Sequence, residues 1–341
     1  MAILFGILLV LAAGILPMVV YALILWWFDR YEKEPLGLLI AAFLWGAIPA
    51  IIFSLIAQLV LDIPVSYFVA PAASDLVGAV LVAPLTEEIF KGAALLLLLL
   101  LFRREIDSPL DGIIYGGLVG FGFAAVENVL YFASALAESG PGGVISLAIL
   151  RAFVFGLNHA LFTGLTGLGL ALARTASNKL VKVGAPVAGL LAGMAAHAVH
   201  NGSVSFGDEL CWPCLVAFAS DYGGVLILLA VIIWSSVREQ RWIVSYLADE
   251  VGLGTLSQDD YEVVCSYLKR VGVRMNTLFS GDFRRWWDLG RYHRLATELA
   301  FNKRRLTLFP TETDTRAHIV ELRGQMIKLK GATHFRSASH L

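Results

Sequence analysis

Between Ile3 and Val237 the chain is divided into seven apolar runs of 20–30 residues, which leaves it few folds to choose from. The runs are Ile3–Trp27, Gly37–Leu61, Leu76–Phe102, Gly112–Ala135, Val144–Ala173, Gly184–Ser203 and Trp212–Val237. A stretch of about 20 apolar residues crosses a bilayer as a helix. Inside lipid every backbone N–H and C=O needs a partner within the protein, so separate runs of this length fold as helices. Charged residues make up only 16% of the 341, against about 25% in soluble domains, which argues against a soluble enzyme. The expected fold class is all-α: a polytopic membrane helix bundle of about seven transmembrane helices with a C-terminal helical cytoplasmic tail.

The connecting segments alternate in charge. Arg30 and Lys33, Arg103 and Arg104, Arg174 with Lys179 and Lys182, and Arg238 with Arg241 fall on one side. The opposite loops, around Asp62–Asp75, Glu138 and Asp208–Glu209, contain no Lys or Arg. The positive-inside rule then puts the N-terminus outside and the tail in the cytoplasm of a multi-pass plasma-membrane protein. The first run lacks a basic leader and is longer than the core of a signal peptide, so it reads as an uncleaved span. Through Val237 there are 9 Lys+Arg and 15 Asp+Glu, and from Arg238 onward 17 and 12. That shift divides the chain into 1–237 and 238–341.

Finer expectations follow from turn and cap chemistry. Ile63–Ala73 is too short to cross and is expected along the outer interface, and Glu138–Gly143 is expected as an outer loop. No internal repeat or broken helix is evident. In the tail, Arg238–Glu250 continues the last span, Gly252–Gly254 interrupts it, and Ser257 with Asp260 makes an N-cap. Asp282–Arg305 and Thr315–Lys330 read as helices, and the last residues as disordered. A tail with Trp286, Trp287 and Tyr292 among basic residues is expected to rest on anionic lipid headgroups or to pack on itself, and nucleic acid is not an expected partner. Cys211-Trp212-Pro213-Cys214 has redox spacing but no soluble fold beneath it, so two small apolar residues or a local disulfide is the simpler reading.

Four ionisable residues interrupt four of the runs at one depth. Glu88 lies 15 residues before Arg103, Glu127 16 after Asp111, His159 15 before Arg174 and His197 15 after Lys182. At about 1.5 Å per residue each is about 22–24 Å from the cytoplasmic edge, in the outer half of the bilayer. A charge at the centre of a membrane helix costs about 2.5–3.5 kcal/mol, so such residues mark a site by default. Lys91 is i,i+4 to Glu87 and i,i+3 to Glu88, and one cation neutralises only one of two acids. A packing ion pair accounts for one acid and one base, and a helix–helix hydrogen bond accounts for Glu127 alone. Neither accounts for the whole layer. Phe123 and Asn128 flank Glu127, and Asn201 is i,i+4 to His197. Arg151 and Asp221 read as structural, and His200, one turn nearer the outside, reads equally as part of the layer or as an interfacial group.

Chemically, the layer suits activation of water. A glutamate takes a proton, a histidine protonates a leaving amine, and His197 or Asn201 stabilises an oxyanion. Alternatively His159, His197 and Glu127 hold a zinc ion with an open position, leaving Glu87 or Glu88 as base. Metal and metal-free versions stay open at this point.

Glu87-Glu88-x-x-Lys91, Phe123-x-x-x-Glu127-Asn128, His159 and His197-x-x-x-Asn201, in this order on successive spans, resemble the PrsW family of intramembrane proteases. Asp29-Arg30-Tyr31-Glu32-Lys33-Glu34-Pro35 is similar to that family's first cytoplasmic loop. The related CAAX prenyl endopeptidases carry EExxxR and FxxxH; here Lys91 is one position early and Glu127 replaces the histidine, so a prenylated substrate is not expected. The resemblance implies a bacterial enzyme with Glu87, Glu88, Glu127, His159 and His197 as catalytic residues, supported by Lys91, Phe123, Asn128 and Asn201. It also implies site-one-type cleavage of a membrane-anchored protein, such as an anti-sigma factor. Residues 1–237 are then the transmembrane protease-like domain, and 238–341 the basic helical cytoplasmic tail. A proton or cation transporter and a non-catalytic scaffold of the same superfamily are the alternatives.

Overall fold

A computed structural model of the chain describes residues 2–31, 33–206, 211–308, 310 and 313–334. Glu32 of the first loop, the Asp208–Glu209 loop and the chain end expected to be disordered lie outside the described residues. The described residues are all-α, and five helical stretches are long and apolar enough to cross a membrane. The chain forms two compact units: Met1–Asp29 with Glu34–Ile233, and Arg30–Lys33 with Trp234–Leu341.

The first unit contains α1 (Ala2–Phe28), α2 (Leu36–Trp45), α3 (Ile51–Phe68), α4 (Pro71–Val77), α5 (Ala83–Leu101), α6 (Pro109–Ala148), α7 (Asn158–Thr175), α8 (Lys179–Ser205) and most of α9 (Cys211–Gly252). Wider π turns join α2 to α3 at Gly46–Ala50 and α4 to α5 at Gly78–Val82. The first contains Pro49, which has no N–H to donate, and a widened turn accommodates that loss. α6 begins at a capping box in which Ser108 Oγ accepts from the Asp111 N–H and Asp111 accepts from the Ser108 N–H at 2.7 Å.

α6 lies at the centre of this unit, because its small residues let other backbones approach closely. A Cβ at Gly120 would stand 2.3 Å from the His159 carbonyl oxygen, and one at Gly122 would stand 1.9 Å from the Phe43 carbonyl. Glycine is therefore required at both positions, and α7 and α2 are drawn against α6. The first of these contacts fixes the backbone of a site residue.

Three expectations need correction. Ile63–Ala73 is not a separate segment: α3 runs on through Pro64 to Phe68, and α4 starts at Pro71. The Glu138–Gly143 loop is reduced to one reversal at Gly140, whose φ of 67° favours glycine. On a continuous helix residues 127 and 151 would be about 36 Å apart; their side chains meet at 2.6 Å, so the chain after Gly140 runs back along α6. Finally, the run Val144–Ala173 is a broken helix. A π turn at Ile149–Val154 ends before α7 begins at Asn158, leaving Phe155–Leu157 non-helical. Gly156 sits there with its Cα against the Ala152 carbonyl, where a Cβ would lie 2.2 Å from that oxygen.

The second unit contains the end of α9, α10 (Gln258–Val264), α11 (Tyr267–Phe279), α12 (Phe283–Leu308) and α13 (Thr313–His334). Ser257 and Asp260 form the capping box of α10. α11, capped by Ser266, was not anticipated, although its apolar spacing is strongly one-sided. Ile243, Leu247, Tyr292, Leu299 and Met326 share the core of this unit. Buried Glu250 accepts from Lys303 at 2.8 Å and Arg323 at 2.6 Å, tying α9 to α12 and α13. Cys265 is buried and free; Cys214, in the first unit, is exposed and free, and the Cys211 side chain lies outside the described residues.

His293 gives this unit a pH limit. Burial pushes its imidazole down to about 4, with Arg270 and Arg274 adding to the effect and Asp260 opposing it. The folded state thus binds its proton later than the unfolded chain, whose value is near 6.5. The contribution is fully present above about pH 6.5 and is lost as pH falls towards 4, by on the order of 2–3 kcal/mol. Thermal unfolding of this unit, followed by Trp fluorescence, is expected to fall across that window and to flatten in His293→Gln. Equal slopes in both proteins would contradict this.

Candidate active site

Glu87, Glu88 and Lys91 occupy one face of α5 and are buried. Lys91 Nζ is fully enclosed and donates to Glu88 Oε1 at 2.9 Å and Glu87 Oε2 at 3.2 Å. The same ammonium lies 3.0 Å from His159 Nδ1 and 3.8 Å from the centre of the Phe123 ring. An ammonium can only donate, so His159 Nδ1 accepts and its Nε2–H points to Glu127 Oε2, 2.8 Å away. Glu127 in turn accepts from Arg151 at 2.6 Å, and Arg151 Nε donates to Asn128 Oδ1 at 3.1 Å.

The two acids on α5 differ. Glu88 is 0% exposed, and both its oxygens are engaged: Oε1 by Lys91 and by His197 Nδ1 at 3.1 Å, Oε2 by the Thr163 hydroxyl at 3.1 Å. Glu87 accepts from Lys91 and, at 3.3 Å, from Gln58, and it lines a cavity of about 900 Å³. His159, Glu127, Arg151 and Asn201 also line that cavity. Phe162 stacks on the His197 ring at 4.7 Å and fixes its plane.

All the anticipated site residues of the third to sixth runs converge, but with different pairings. Glu127 does not join His197: Arg151 and His159 Nε2 hold its carboxylate, which places it behind His159. The four groups whose ligating atoms lie within 4.8 Å of one another are Glu87, Glu88, His159 and His197. Asn201 donates to the Ala79 carbonyl at 2.9 Å. Arg151 faces the cavity and the site. His200 is buried and bonded to Asp221 at 2.7 Å. Gln58 and Thr163 were missed. Gln58 is the one amide of the run Gly37–Leu61, whereas a helical Thr satisfies itself on its own backbone and gives no signal.

Two carboxylates and two imidazoles suit zinc by donor type. Donors around a tetrahedral zinc ion stand about 3.3–3.6 Å apart, so the 4.8 Å cluster would draw in by about 1 Å to hold one. The accepting nitrogen of His159 and both acids of α5 already meet one cation, the Lys91 ammonium. The residues fit a metal.

An acid–imidazole cluster at a cavity within an all-helical, membrane-spanning unit defines an intramembrane hydrolase. Residues 34–236 match the PrsW-protease family, described as PrsW family intramembrane metalloprotease. The chain belongs to that family and is a protease. Among curated proteins it is 32% identical to Protease PrsW of Geobacillus kaustophilus over 173 residues, covering 50% of this chain and 68% of that one. It is 37% identical to Protease PrsW of Clostridioides difficile over 107 residues (31% and 43%). With Protease PrsW of Bacillus subtilis it shares 27% over 175 residues (50% and 71%). No solved structure matches the chain. Residues 237–341 lie outside the family match.

Proposed function

We propose that Glu87 is the general base of a peptide hydrolysis carried out inside the membrane on a single-span or anchored protein. The observation that carries this is the asymmetry of the acid pair. Glu87 lines the cavity, with one oxygen on Lys91 and the other on Gln58 at 3.3 Å, whereas Glu88 does not line it and is held by Lys91, His197 and Thr163. A water between Glu87 and the scissile carbonyl gives its proton to Glu87 as its oxygen bonds to the carbonyl carbon. As the C–N bond breaks, the Glu87 carboxyl returns that proton to the departing amine. Asn201, on the cavity wall, is an amide donor within reach of the developing oxyanion once it leaves the Ala79 carbonyl. Glu127, held by Arg151, keeps His159 in the tautomer whose Nδ1 accepts.

Glu88, His159 and His197, with Glu87 adjacent, would hold the divalent ion that the family description implies, zinc by donor type; once bound, it supplies the positive charge that polarises water and carbonyl. The finer topology belongs to the same reading: seven crossings, formed by α1, α2–α3, α4–α5, α6 to Gly140, the broken segment through α7, α8 and α9. The N-terminus is then outside and the basic tail cytoplasmic, which the loop charges support. Residues 1–237 form the protease domain and 238–341 the tail, with lipid rather than nucleic acid as its partner. A membrane-anchored anti-sigma factor cut near the outer face is the substrate class.

The test is cleavage of a single-span membrane reporter co-reconstituted in liposomes, with product mass and bound metal measured together. Chelation is expected to abolish cleavage and added zinc to restore it. Full cleavage by metal-stripped protein would remove the metal, and no cleavage of any membrane reporter would remove this reading of the site.

A further inference from the structure

Two adjacent residues of α9 hold the two ends of the break that precedes His159. Before the break, the Tyr222 hydroxyl donates to the Val154 carbonyl at 2.8 Å. After it, three hydrogen bonds run in series. The Asp221 carboxylate accepts from His200 Nδ1 at 2.7 Å, Asn158 Nδ2 lies 3.2 Å from His200 Nε2, and Asn158 Oδ1 accepts from the His159 N–H at 2.6 Å. Their direction follows from chemistry: an amide NH₂ only donates, so His200 Nε2 accepts and Nδ1 carries the proton towards Asp221. The His200 ring is wedged against Phe155, inside the break, with ring centres 5.0 Å apart.

A helix broken inside a membrane frees backbone groups that lipid cannot satisfy. Here α9 satisfies one directly and steers the first turn of α7 through His200 and Asn158. Asp221 is 3% exposed, and its second oxygen has no hydrogen-bond partner among the described residues. Packing alone would favour an apolar residue there. The carboxylate therefore serves the His200 bond.

We propose that Asp221, His200 and Tyr222 are positioning residues that set the His159 imidazole by holding the break from α9. This rests on His159 being part of the protease site. The proposal goes beyond the acid and histidine motifs, none of which includes these three residues.

The test uses the full chain in liposomes with a single-span reporter that the wild type cleaves. Because displacement of a site group by about 1 Å can cost about 10²-fold, Asp221→Leu is expected to lower kcat by about that factor with KM within about 2-fold. Asp221→Asn, which still offers an oxygen to His200, should recover most of the loss. His200→Phe combined with Asp221→Leu should be no slower than His200→Phe alone, because both act through one chain of bonds. Tyr222→Phe, which removes a single oxygen, should lower kcat by about 10-fold. Losses that multiply in the double variant, a KM that rises in step, or a wild-type kcat in folded Asp221→Leu would overturn the proposal. If Asp221→Leu does not fold, an unaltered kcat in Tyr222→Phe does so. An inactive wild type would instead count against the protease reading.

Discussion

Glu87→Gln is expected to lower the rate of reporter cleavage by about 10²–10⁴-fold, the usual contribution of a general base, while the protein still folds. The amide keeps an oxygen for Lys91 Nζ, which lies 3.2 Å from Glu87 Oε2, so packing around the ammonium changes little. What is lost is the one acid of the pair that lines the cavity. Glu88→Gln should also be inactive, for a different reason. Glu88 accepts from Lys91, His197 and Thr163 together, and an amide supplies one acceptor oxygen where the carboxylate has two. Its loss should therefore be accompanied by a lower melting temperature, whereas that of Glu87→Gln should stay close to the wild type. Cleavage at the wild-type rate by Glu87→Gln would remove it from the mechanism.

The largest stability effect is expected at Lys91. Its ammonium is fully enclosed and is shared by Glu87, Glu88 and His159. Removing one partner of a buried pair costs about 3–5 kcal/mol because the other charge is stranded. In Lys91→Met two carboxylates are stranded, so the loss should lie at the upper end of that range. Methionine fills similar volume and can lie over the Phe123 ring, so loss of packing contributes little. The same substitution in a Glu88→Gln background should cost markedly less, because one stranded charge is gone. Unfolding in detergent, read by intrinsic fluorescence, measures both. A Lys91→Met protein as stable as the wild type would mean that its acids are held by something other than this ammonium.

Depth along the helices does not set the pairings inside the site. Glu127 was grouped with both histidines because all three share a depth, yet Arg151 takes it to the other side of His159. On one straight helix Arg151 falls near the outer end of its run, away from the layer. Once the chain reverses at Gly140 and breaks at Phe155–Leu157, the same residue faces the cavity. The signals for the break were Gly156 and Asn158, two weak helix formers in an apolar run, and neither is decisive alone.

Residue order by itself determined the helical class and the family and set one expected depth for Glu88, Glu127, His159 and His197, because helical rise converts a count of residues directly into height. It could not determine which way each side chain faces. That depends on how helices rotate and where they break, and those follow from backbone contacts at Gly120 and Gly122 and from the bonds that α9 makes across the gap. Only the packed bundle decides them, since a contact between residues distant along the chain leaves no periodicity in either segment.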